Sequence, residues 1–329
     1  MNNLEKVNQF LSLFPGHSKV LVVINADPDA IASAMAIKRI LWRKVSEVVI
    51  AHFNKISRPD NLAMITYTES GLVPLDDIKK EEFDLFVIVD SQPDHNERFS
   101  EFQFDAIIDH HPLTFDKAGF VDIRPHYGAC STILTEYIKS KKMKPSAKLA
   151  AALMLGIKTD TSGFTREASL KDIRAFQYLY GFADNNIVTK VERAALTTED
   201  LEFLGKAIKG RQVLNNRVFF HAGNILKPDE LVMVADFFLT LARINWSVIS
   251  GVYEKKLIII MRNDGLRKGA GNTAKEAFSE FGSAGGHKTM ARAELDMRKI
   301  RKEIGRVNKK RLGRWIISRI EQTAGKKIE

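Results

Sequence analysis

Short apolar runs that each end at an acidic or histidine-bearing cluster constrain the fold of this chain most strongly. Residues 20–24, 85–89 and 106–108 form such runs, and residues 48–53 form a similar one. Their β-branched, non-alternating character is typical of strands buried on both faces of a parallel sheet. Helical spacing occupies residues 30–42, 131–141 and 147–157. Strands that alternate with helices predict a mainly parallel α/β sheet flanked by helices.

The second half of the chain has a different pattern. Residues 170–209 are helical throughout, and strands then return at residues 218–221, 247–253 and 257–262, with helical patterns at 228–244 and 273–281. We predict a first α/β domain over residues 1–186, a helical connector over 187–210, a smaller α/β domain over 211–297 and a basic helical tail over 298–329. A chain of 329 residues is long enough for two domains of ~100–200 residues each. The helical stretch serves as a connector, a homodimer surface or both.

The positive charge of the chain is concentrated at its end. The formal net charge is +10, and residues 298–329 contain twelve Lys and Arg against three Glu. Such a tail favours anionic partners such as RNA or an acidic membrane surface. The alternative is a solvated basic helix that docks on the body through its apolar residues, which include Trp315, Ile316, Ile317 and Ile320.

Targeting and redox signals favour a cytoplasmic location. The sequence has no apolar run near the ~20 residues of a membrane-spanning helix, so we expect no transmembrane segment. The first residues, MNNLEKVNQFLSLF, predict an amphipathic helix and lack the features of a signal peptide. One cysteine, Cys130, excludes an intramolecular disulfide and is typical of a reducing compartment.

Four polar clusters follow predicted strands or helices in the first half. They contain Asp27 and Asp29, then Asp90, then Asp109 with His110 and His111, and finally Asp160. Taken singly, each has an ordinary explanation, since aspartate often caps helices or forms turns. Taken together, they predict one site, because ligands bind outside the carboxyl ends of strands in open α/β sheets.

The chemistry of these residues indicates divalent metal ions. Converging carboxylates repel one another in a cleft of low dielectric constant, and bound cations relieve that repulsion. A mixture of imidazole and carboxylate ligands suits first-row ions such as Mn²⁺, Co²⁺ or Zn²⁺ better than Ca²⁺. Two ions ~3.5–4 Å apart can activate water and stabilise both oxygens in a phosphoryl transfer. The pattern therefore predicts a metal-dependent hydrolase of phosphate esters.

The clusters resemble, in order and spacing, the four motifs of the DHH phosphoesterase family. The matching segments are Asp27-Pro28-Asp29-Ala30-Ile31-Ala32-Ser33, Asp90-Ser91, Asp109-His110-His111 and residues 156–163. Farther on, Gly282-Ser283-Ala284-Gly285-Gly286-His287 resembles the glycine-rich loop of the associated DHHA1 domain, and Arg262 precedes it. The resemblance spans roughly residues 18–295.

The resemblance implies a role for each matching residue. It implies that Asp27 and Asp90 hold one ion, and that Asp90 bridges to a second ion held with Asp29, His110 and Asp160. It also implies that His111 contacts the scissile phosphate while Asp109 orients a histidine, which makes Asp90, Asp109 and His111 the catalytic set. The residues that would bind the terminal phosphate or base of the substrate are Arg262, Gly285, Gly286 and His287.

One position departs from the family pattern. Family members usually have a metal-binding histidine four residues before Asp27, and this chain has Val23 there. Valine cannot ligate a metal, so the resemblance implies a weakened first metal site.

The family members that this chain resembles most are nanoRNases, which degrade very short oligoribonucleotides and dephosphorylate pAp (adenosine 3′,5′-bisphosphate). We therefore expect hydrolysis of short oligoribonucleotides, pAp or both by a metal-bound hydroxide, with two divalent ions, most plausibly Mn²⁺. We expect no further nuclease domain of the RecJ type. Two alternatives stay open: a soluble phosphodiesterase of cyclic or linear dinucleotides, and a nucleotide- or RNA-binding protein whose catalysis is weakened at Val23.

Overall fold

The computed structural model describes residues 2–165, 168–194, 196–266 and 268–324. The chain divides into two compact units, Met1–Leu196 and Thr197–Glu329. The last five residues of the predicted basic tail, 325–329, lie outside the described residues. The finer domain boundaries at residues 186, 210 and 297 stay predictions.

The first unit is an α/β fold with one sheet. Its strands are β1 (Lys19–Ile24), β2 (Glu47–His52), β3 (Leu72–Pro74), β4 (Leu85–Val89), β5 (Ala106–Asp109) and β6 (Phe120–Ile123). Its helices are α1 (Asn3–Ser12), α2 (Pro28–Leu41), α3 (Pro59–Thr68), α4 (Cys130–Ser140), α5 (Ala147–Asp160), α6 (Leu170–Tyr180) and α7 (Asn185–Arg193). Every strand pair is parallel, and the strand order is β3-β2-β1-β4-β5-β6. The predicted fold class is therefore confirmed for this half.

The two faces of the parallel sheet are covered differently. Alternate residues of β1 point to opposite faces: Val20, Val22 and Ile24 join a large core with the helices. Leu21 and Val23 pack instead with aromatic residues of irregular segments, among them Phe99 and Phe104. Both faces are thus buried, which explains why the strands are apolar without alternation.

The second unit contains a mixed sheet between two helical layers. Its strands are β7 (Gln212–Leu214), β8 (Arg217–Asn224), β9 (Trp246–Tyr253), β10 (Lys256–Asn263), β11 (Gly282–Gly286) and β12 (Met290–Asp296). Its helices are α8 (Thr198–Gly210), α9 (Asp229–Leu239), α10 (Ala270–Phe278), α11 (Met297–Ile304) and α12 (Lys309–Ala324). The strand order is β11-β12-β10-β9-β8-β7, and only the β8–β9 pair is parallel.

The helices of the second unit pack on opposite faces of its sheet. Residues of α8 and α9 share one apolar cluster with β8, β9 and β10. Residues of α10, α11 and α12 share another with the opposite face. Trp315, Ile316 and Ile320 of α12 are buried in this second cluster, so the apolar side of the predicted basic tail docks on the sheet. Among the residues described, no helix has the length and apolar character that crossing a membrane requires.

Candidate metal centre

The acidic clusters meet where the order of the parallel sheet reverses. β1 lies between β2 and β4, so the chain leaves the carboxyl ends of β1 and β4 in opposite lateral directions and a crevice opens between them. Asp27 and Asp29 follow β1, Asp90 follows β4, and His110 follows β5. The topology therefore brings residues from three strand ends to one edge.

Four of the predicted ligands form a compact group. Ligand atoms of Asp29, Asp90, His110 and Asp160 all lie within 4.8 Å of one another. The Nε2 atom of His110 is 3.3 Å from Asp90 Oδ1, 3.2 Å from Asp160 Oδ2 and 4.0 Å from Asp29 Oδ2. These three carboxylates and one imidazole together would hold one first-row divalent ion.

Asp29 is held rigidly by the amino end of a helix. Cys130 N–H donates to its Oδ2 at 2.6 Å and Ser131 N–H donates to its Oδ1 at 2.8 Å. Ala129, the cap residue of α4, contributes no side-chain hydrogen bond, so Asp29 takes the place of a local cap. The carboxylate is fully buried. Its position is therefore set before any ion binds.

Asp27 has the local role that its sequence position suggests. It is the N-cap of α2, and its Oδ1 accepts a hydrogen bond from Ala30 N–H at 2.9 Å. Burial raises the pKa of Asp27, and the charge of Asp29 adds to the shift. Among the described residues, Asp27 does not join a group of three metal-ligand side chains, although its charge acts on Asp90.

Asp90 adopts an unusual backbone conformation at the tip of β4. Its φ is 59°, in the left-handed region, and its N–H donates to the carbonyl of Ile108 on the neighbouring strand. This conformation costs a non-glycine residue of order 1 kcal/mol and persists only where the surroundings enforce it. It turns the chain away from the sheet directly at the residue expected to bridge two ions.

The ionisable groups perturb one another strongly. Burial raises the pKa of Asp29 to about 6, with a further contribution from the charge of Asp160. Burial also raises the pKa of Asp90, and Asp29 and Asp27 add to the effect. Burial alone would lower the pKa of His110, but the carboxylates of Asp160 and Asp90 outweigh it and raise that pKa to about 12. A proton on His110 thus balances part of the charge that a cation would neutralise.

Two buried atoms at the centre of the group fit a metal ion. Asp90 Oδ1 and His110 Nε2 are buried and lie 3.3 Å apart, yet neither makes a hydrogen bond of good geometry within the described part of the chain. Buried polar atoms are nearly always satisfied, so such a pair needs an explanation. The other ring nitrogen of His110, Nδ1, lies 3.2 Å from the Tyr127 carbonyl and donates to it in the neutral ring, which leaves Nε2 for a metal. Three carboxylates and one imidazole suit Mn²⁺ or a similar ion.

The second histidine is fixed by Asp109. Its Nδ1 lies 2.8 Å from Asp109 Oδ1, and 43% of the His111 side chain is exposed. Burial would raise the pKa of Asp109, but the hydrogen bonds with His111 and Gln92 and the charges of the two histidines together outweigh it, and the net shift is downward. An ionised Asp109 therefore directs the Nε2 atom of an accessible His111 away from itself.

Gln92 and His95 lie in this site and were not identified from the sequence. Gln92 is fully buried, and its amide donates to Asp109 Oδ2 at 2.7 Å and to the Pro112 carbonyl at 3.0 Å. The ring of His95 lies edge-on to that of His111, with centroids 5.6 Å apart. Their only sequence signal is proximity to Asp90 in the segment Asp90-Ser91-Gln92-Pro93-Asp94-His95.

The predicted glycine-rich loop has a different backbone form. Residues Gly282–Gly286 are strand β11 at the edge of the second sheet, so the expectation of a loop was wrong. The neighbouring helix α10 also needs a glycine where it approaches this strand. A Cβ on Gly271 of α10 would lie 2.1 Å from the Gly286 carbonyl oxygen. An edge strand also leaves one row of its backbone N–H groups unpaired by the sheet.

The other predicted substrate residues lie at the same end of this sheet. Arg262 pairs in register with Met290, whose carbonyl accepts a hydrogen bond from His287 N–H at 2.8 Å. The Arg262 guanidinium donates to Asp236 Oδ1 at 2.7 Å. His287 is exposed beyond the end of β11. These residues belong to the second unit, and the metal-ligand group belongs to the first.

A family model decides the identity of the first unit. The model described as the DHH family, N-terminal domain, matches residues 19–157. Residues 19–157 belong to the DHH family. This DHH domain contains Asp27, Asp29, Asp90, His110 and His111, and Asp160 follows three residues beyond its end.

Comparison with individual proteins supports the assignment of the DHH domain. The chain is 34% identical over 279 residues to the uncharacterized protein MJ1633 of Methanocaldococcus jannaschii. The aligned region covers 84% of this chain and 58% of that protein. The chain thus spans little more than half the length of this relative. Among solved structures, an exopolyphosphatase-related protein from Bacteroides fragilis matches with a TM-score of 0.76 and 16% identity, covering 97% of this chain and 96% of that one.

A manganese-bound exonuclease RecJ also shares the fold. It matches with a TM-score of 0.53 and 14% identity, covering 99% of this chain and 95% of that one. At these identities both solved structures show the fold alone. The predicted fold class, a parallel α/β sheet followed by a second and mixed α/β unit, is confirmed.

Proposed function

We propose that this chain is a metal-dependent phosphoester hydrolase that acts on short oligoribonucleotides, pAp or both. The observation that carries the proposal is the pair of unsatisfied buried atoms, Asp90 Oδ1 and His110 Nε2, inside a group of four ligand side chains. The DHH domain supports the phosphoester chemistry, and the manganese in the RecJ structure supports a divalent cofactor.

In this proposal Asp29, Asp90, His110 and Asp160 would hold one divalent ion, and Asp27 and Asp90 would contribute to a second. The donor set favours Mn²⁺. When bound, the ions would supply an activated water and stabilise charge on the phosphoryl oxygens. Protein groups would bind and orient the substrate.

Each unit carries predicted phosphate-binding residues. Asp109 accepts from His111 Nδ1, so the exposed ring presents Nε2 to the scissile phosphate. In the second unit, Arg262 and His287, with whichever backbone N–H of Gly285 and Gly286 faces away from β12, would bind the terminal phosphate or base of the substrate. An arginine suits this role because its planar group binds phosphate oxygens in pairs.

The test compares Asp90→Asn with wild type on pAp, the dinucleotide pApA and a cyclic dinucleotide, while Mn²⁺ is titrated. Loss of a central ligand should lower turnover by at least about 100-fold, more than the loss of an outer partner of a ligand. Asp77→Asn, the same change at an exposed position, serves as the control. Equal activity in Asp90→Asn and wild type would overturn the proposal, and the ratio of rates among the substrates identifies the preferred one.

A second candidate function is nucleotide binding with weak catalysis. Val23 is fully buried among apolar side chains on the face of the sheet away from the helices, so no ligand replaces the histidine usual at this position. The comparison of Val23→His with Val23→Leu separates ligation from packing, because both variants enlarge the side chain. Turnover that is much faster in Val23→His than in wild type and Val23→Leu would favour this candidate, whereas equal turnover in wild type and Val23→His would exclude it.

A further inference from the structure

A large cavity in the second unit lies at the opposite end of β10 from Arg262 and reaches the first residue of β11, Gly282. It has a volume of about 1390 Å³, and its walls include the β9–β10 turn and the segment that joins α11 to α12. Lys256, which lines it, begins β10, and Arg262 lies six residues along the same strand. At ~3.3 Å per residue the two positions are roughly 20 Å apart. We call this cavity the basic groove.

The charge of the groove is positive after its ion pairs are counted. Its three acidic side chains are Glu254, Glu294 and Asp296, of which Glu294 pairs with Lys256 and Asp296 pairs with Arg298. Five further cations line the groove and form no ion pair within the described part of the chain: Lys255, Lys299, Arg301, Arg306 and Lys309. All five are exposed. Part of the positive charge concentrated in residues 298–329 therefore lines a defined cavity.

The floor of the groove is apolar and contains an unsatisfied polar atom. Apolar residues such as Phe281 and Leu312 line it beneath the cations. His221 also lines it and is 9% exposed. Its Nδ1 lies 3.0 Å from Ser250 Oγ, whereas its Nε2 is buried and has no partner among the described residues. In either tautomer this nitrogen needs a donor or an acceptor from a ligand or from water.

We propose that the basic groove binds single-stranded RNA, separately from the metal centre. Cations along a rim neutralise successive phosphates, as in the positively charged grooves that follow the backbone of a single strand. The volume exceeds the ~300–1,000 Å³ of a typical small-molecule pocket, which favours an extended ligand over a single nucleotide. A concave site with a recessed apolar floor is unlike a surface that lies flat on a membrane.

The test measures binding of a fluorescein-labelled oligoadenylate RNA of eight nucleotides to the full chain by fluorescence anisotropy. EDTA prevents hydrolysis, and KCl is varied. The groove variant combines Arg301→Ala, Arg306→Ala and Lys309→Ala. The matched control combines Lys302→Ala, Arg311→Ala and Arg314→Ala, which remove the same charge from exposed positions of α11 and α12 that do not line the groove.

The groove variant should bind RNA at least about tenfold more weakly at low salt. Its slope of log affinity against log salt should fall by about 2, since each phosphate contact contributes ~0.7 for a single strand. The control should stay within about threefold of wild type. Lys255→Glu, on the opposite wall of the groove, gives an independent variant whose affinity should also fall, and circular dichroism verifies that each variant is folded.

Several outcomes would overturn the proposal. Equal weakening by the groove and control variants would mean diffuse attraction to the helix surface. No weakening in either would place RNA binding elsewhere. Displacement by ATP or inorganic phosphate as effective as by unlabelled RNA would indicate a small-anion site, and groove-dependent binding to acidic vesicles without RNA binding would indicate a membrane surface. RNA binding is measured in EDTA, without a metal ion or turnover, so failure of the hydrolase proposal leaves this one intact.

Discussion

At the scale of single residues, Gln92 organises the rim of the metal centre. Its side-chain oxygen accepts hydrogen bonds from Thr114 N–H at 2.7 Å and Phe115 N–H at 3.0 Å, and its amide donates to Asp109. The Gln92 side chain therefore links the Asp109 carboxylate, which orients His111, to the backbone of residues 114 and 115. Every bond is internal, because the side chain is fully buried.

Replacement of this amide should affect both stability and turnover. Gln92→Ala removes the partner of Asp109 Oδ2 and of the Thr114 and Phe115 N–H groups, which costs about 1–3 kcal/mol. Loss of the partner that fixes Asp109 should also lower turnover of pAp by about 10–100-fold. Urea unfolding and initial rates measure the two effects, and the exposed Gln103→Ala is the control. A variant with wild-type rates would show that Asp109 needs no such support.

His221 makes the stability of the second unit depend on pH. Burial lowers its pKa from 6.5 to about 4, and the charge of Lys309 adds to the shift. Between these pH values the unfolded chain binds a proton that the folded chain does not, so stability should fall as pH decreases from 6.5 towards 4. The loss attributable to His221 is of order 2–3 kcal/mol.

This dependence is measured by chemical unfolding at several pH values. His221→Asn removes the titrating ring, so its stability should change less between pH 7 and pH 4 than that of wild type. Both proteins share every other titrating group, which makes the difference between their slopes specific to His221. Parallel slopes would contradict the prediction.

At the scale of elements, the site depends on close contact between α2, α4 and α5. Gly156 of α5 faces Asp29, and a Cβ at this position would lie 2.5 Å from Ser131 Oγ and 3.0 Å from Asp29 Oδ1. Helices approach this closely only where a side chain is missing. The glycine therefore lets α5 pack against the ligand carboxylate and deliver Asp160 at its end.

Gly156→Ala should displace Asp29 or separate the helices. Overpacking of this kind costs about 1–3 kcal/mol, and it should weaken Mn²⁺ binding as well. Gly205→Ala in α8 is the matched control, since a Cβ there meets no atom within 4 Å. That control should leave stability unchanged or raise it by up to about 1 kcal/mol. Calorimetric titration with Mn²⁺ and urea unfolding measure both; tight Mn²⁺ binding in Gly156→Ala would contradict the proposed contact.

At the scale of the whole molecule, two units with separate cores carry the metal centre and the basic groove. The metal ligands all lie within Met1–Leu196, and the groove residues all lie within Thr197–Glu329. A ligand stabilises the unit that binds it. The two activities should therefore respond to different ligands.

Mn²⁺ should raise the unfolding temperature of the first unit selectively. At a hundred times its dissociation constant, an ion contributes about 2.7 kcal/mol. Differential scanning calorimetry of wild type should show one transition that shifts with Mn²⁺, and Asp160→Asn should reduce the shift. Asp77→Asn should retain it. An equal shift in wild type and Asp160→Asn would exclude Asp160 from the ligand set.

The sequence alone determined the strands that carry the site and most of its polar residues. β1, β4 and β5 are short apolar runs, and acidic or histidine residues follow directly after them. Both properties can be read from neighbouring positions of the sequence. Edge strands were harder to predict. β11 consists of glycine, serine and alanine, and β3 and β7 have three residues each, so neither composition nor period indicates a strand.

Only the tertiary structure decided how the site residues are held. Asp29 meets the amides of residues 101 and 102 positions away, and Gln92 meets Asp109 across 17 positions. The left-handed φ of Asp90 depends on its neighbours in the sheet. The tertiary structure also decided which tail residues are buried and which are exposed. Trp315 is buried, whereas Lys309 lines the groove. Periodicity and residue type describe the neighbours of a residue along the chain, whereas these contacts depend on which segments the folded backbone brings together.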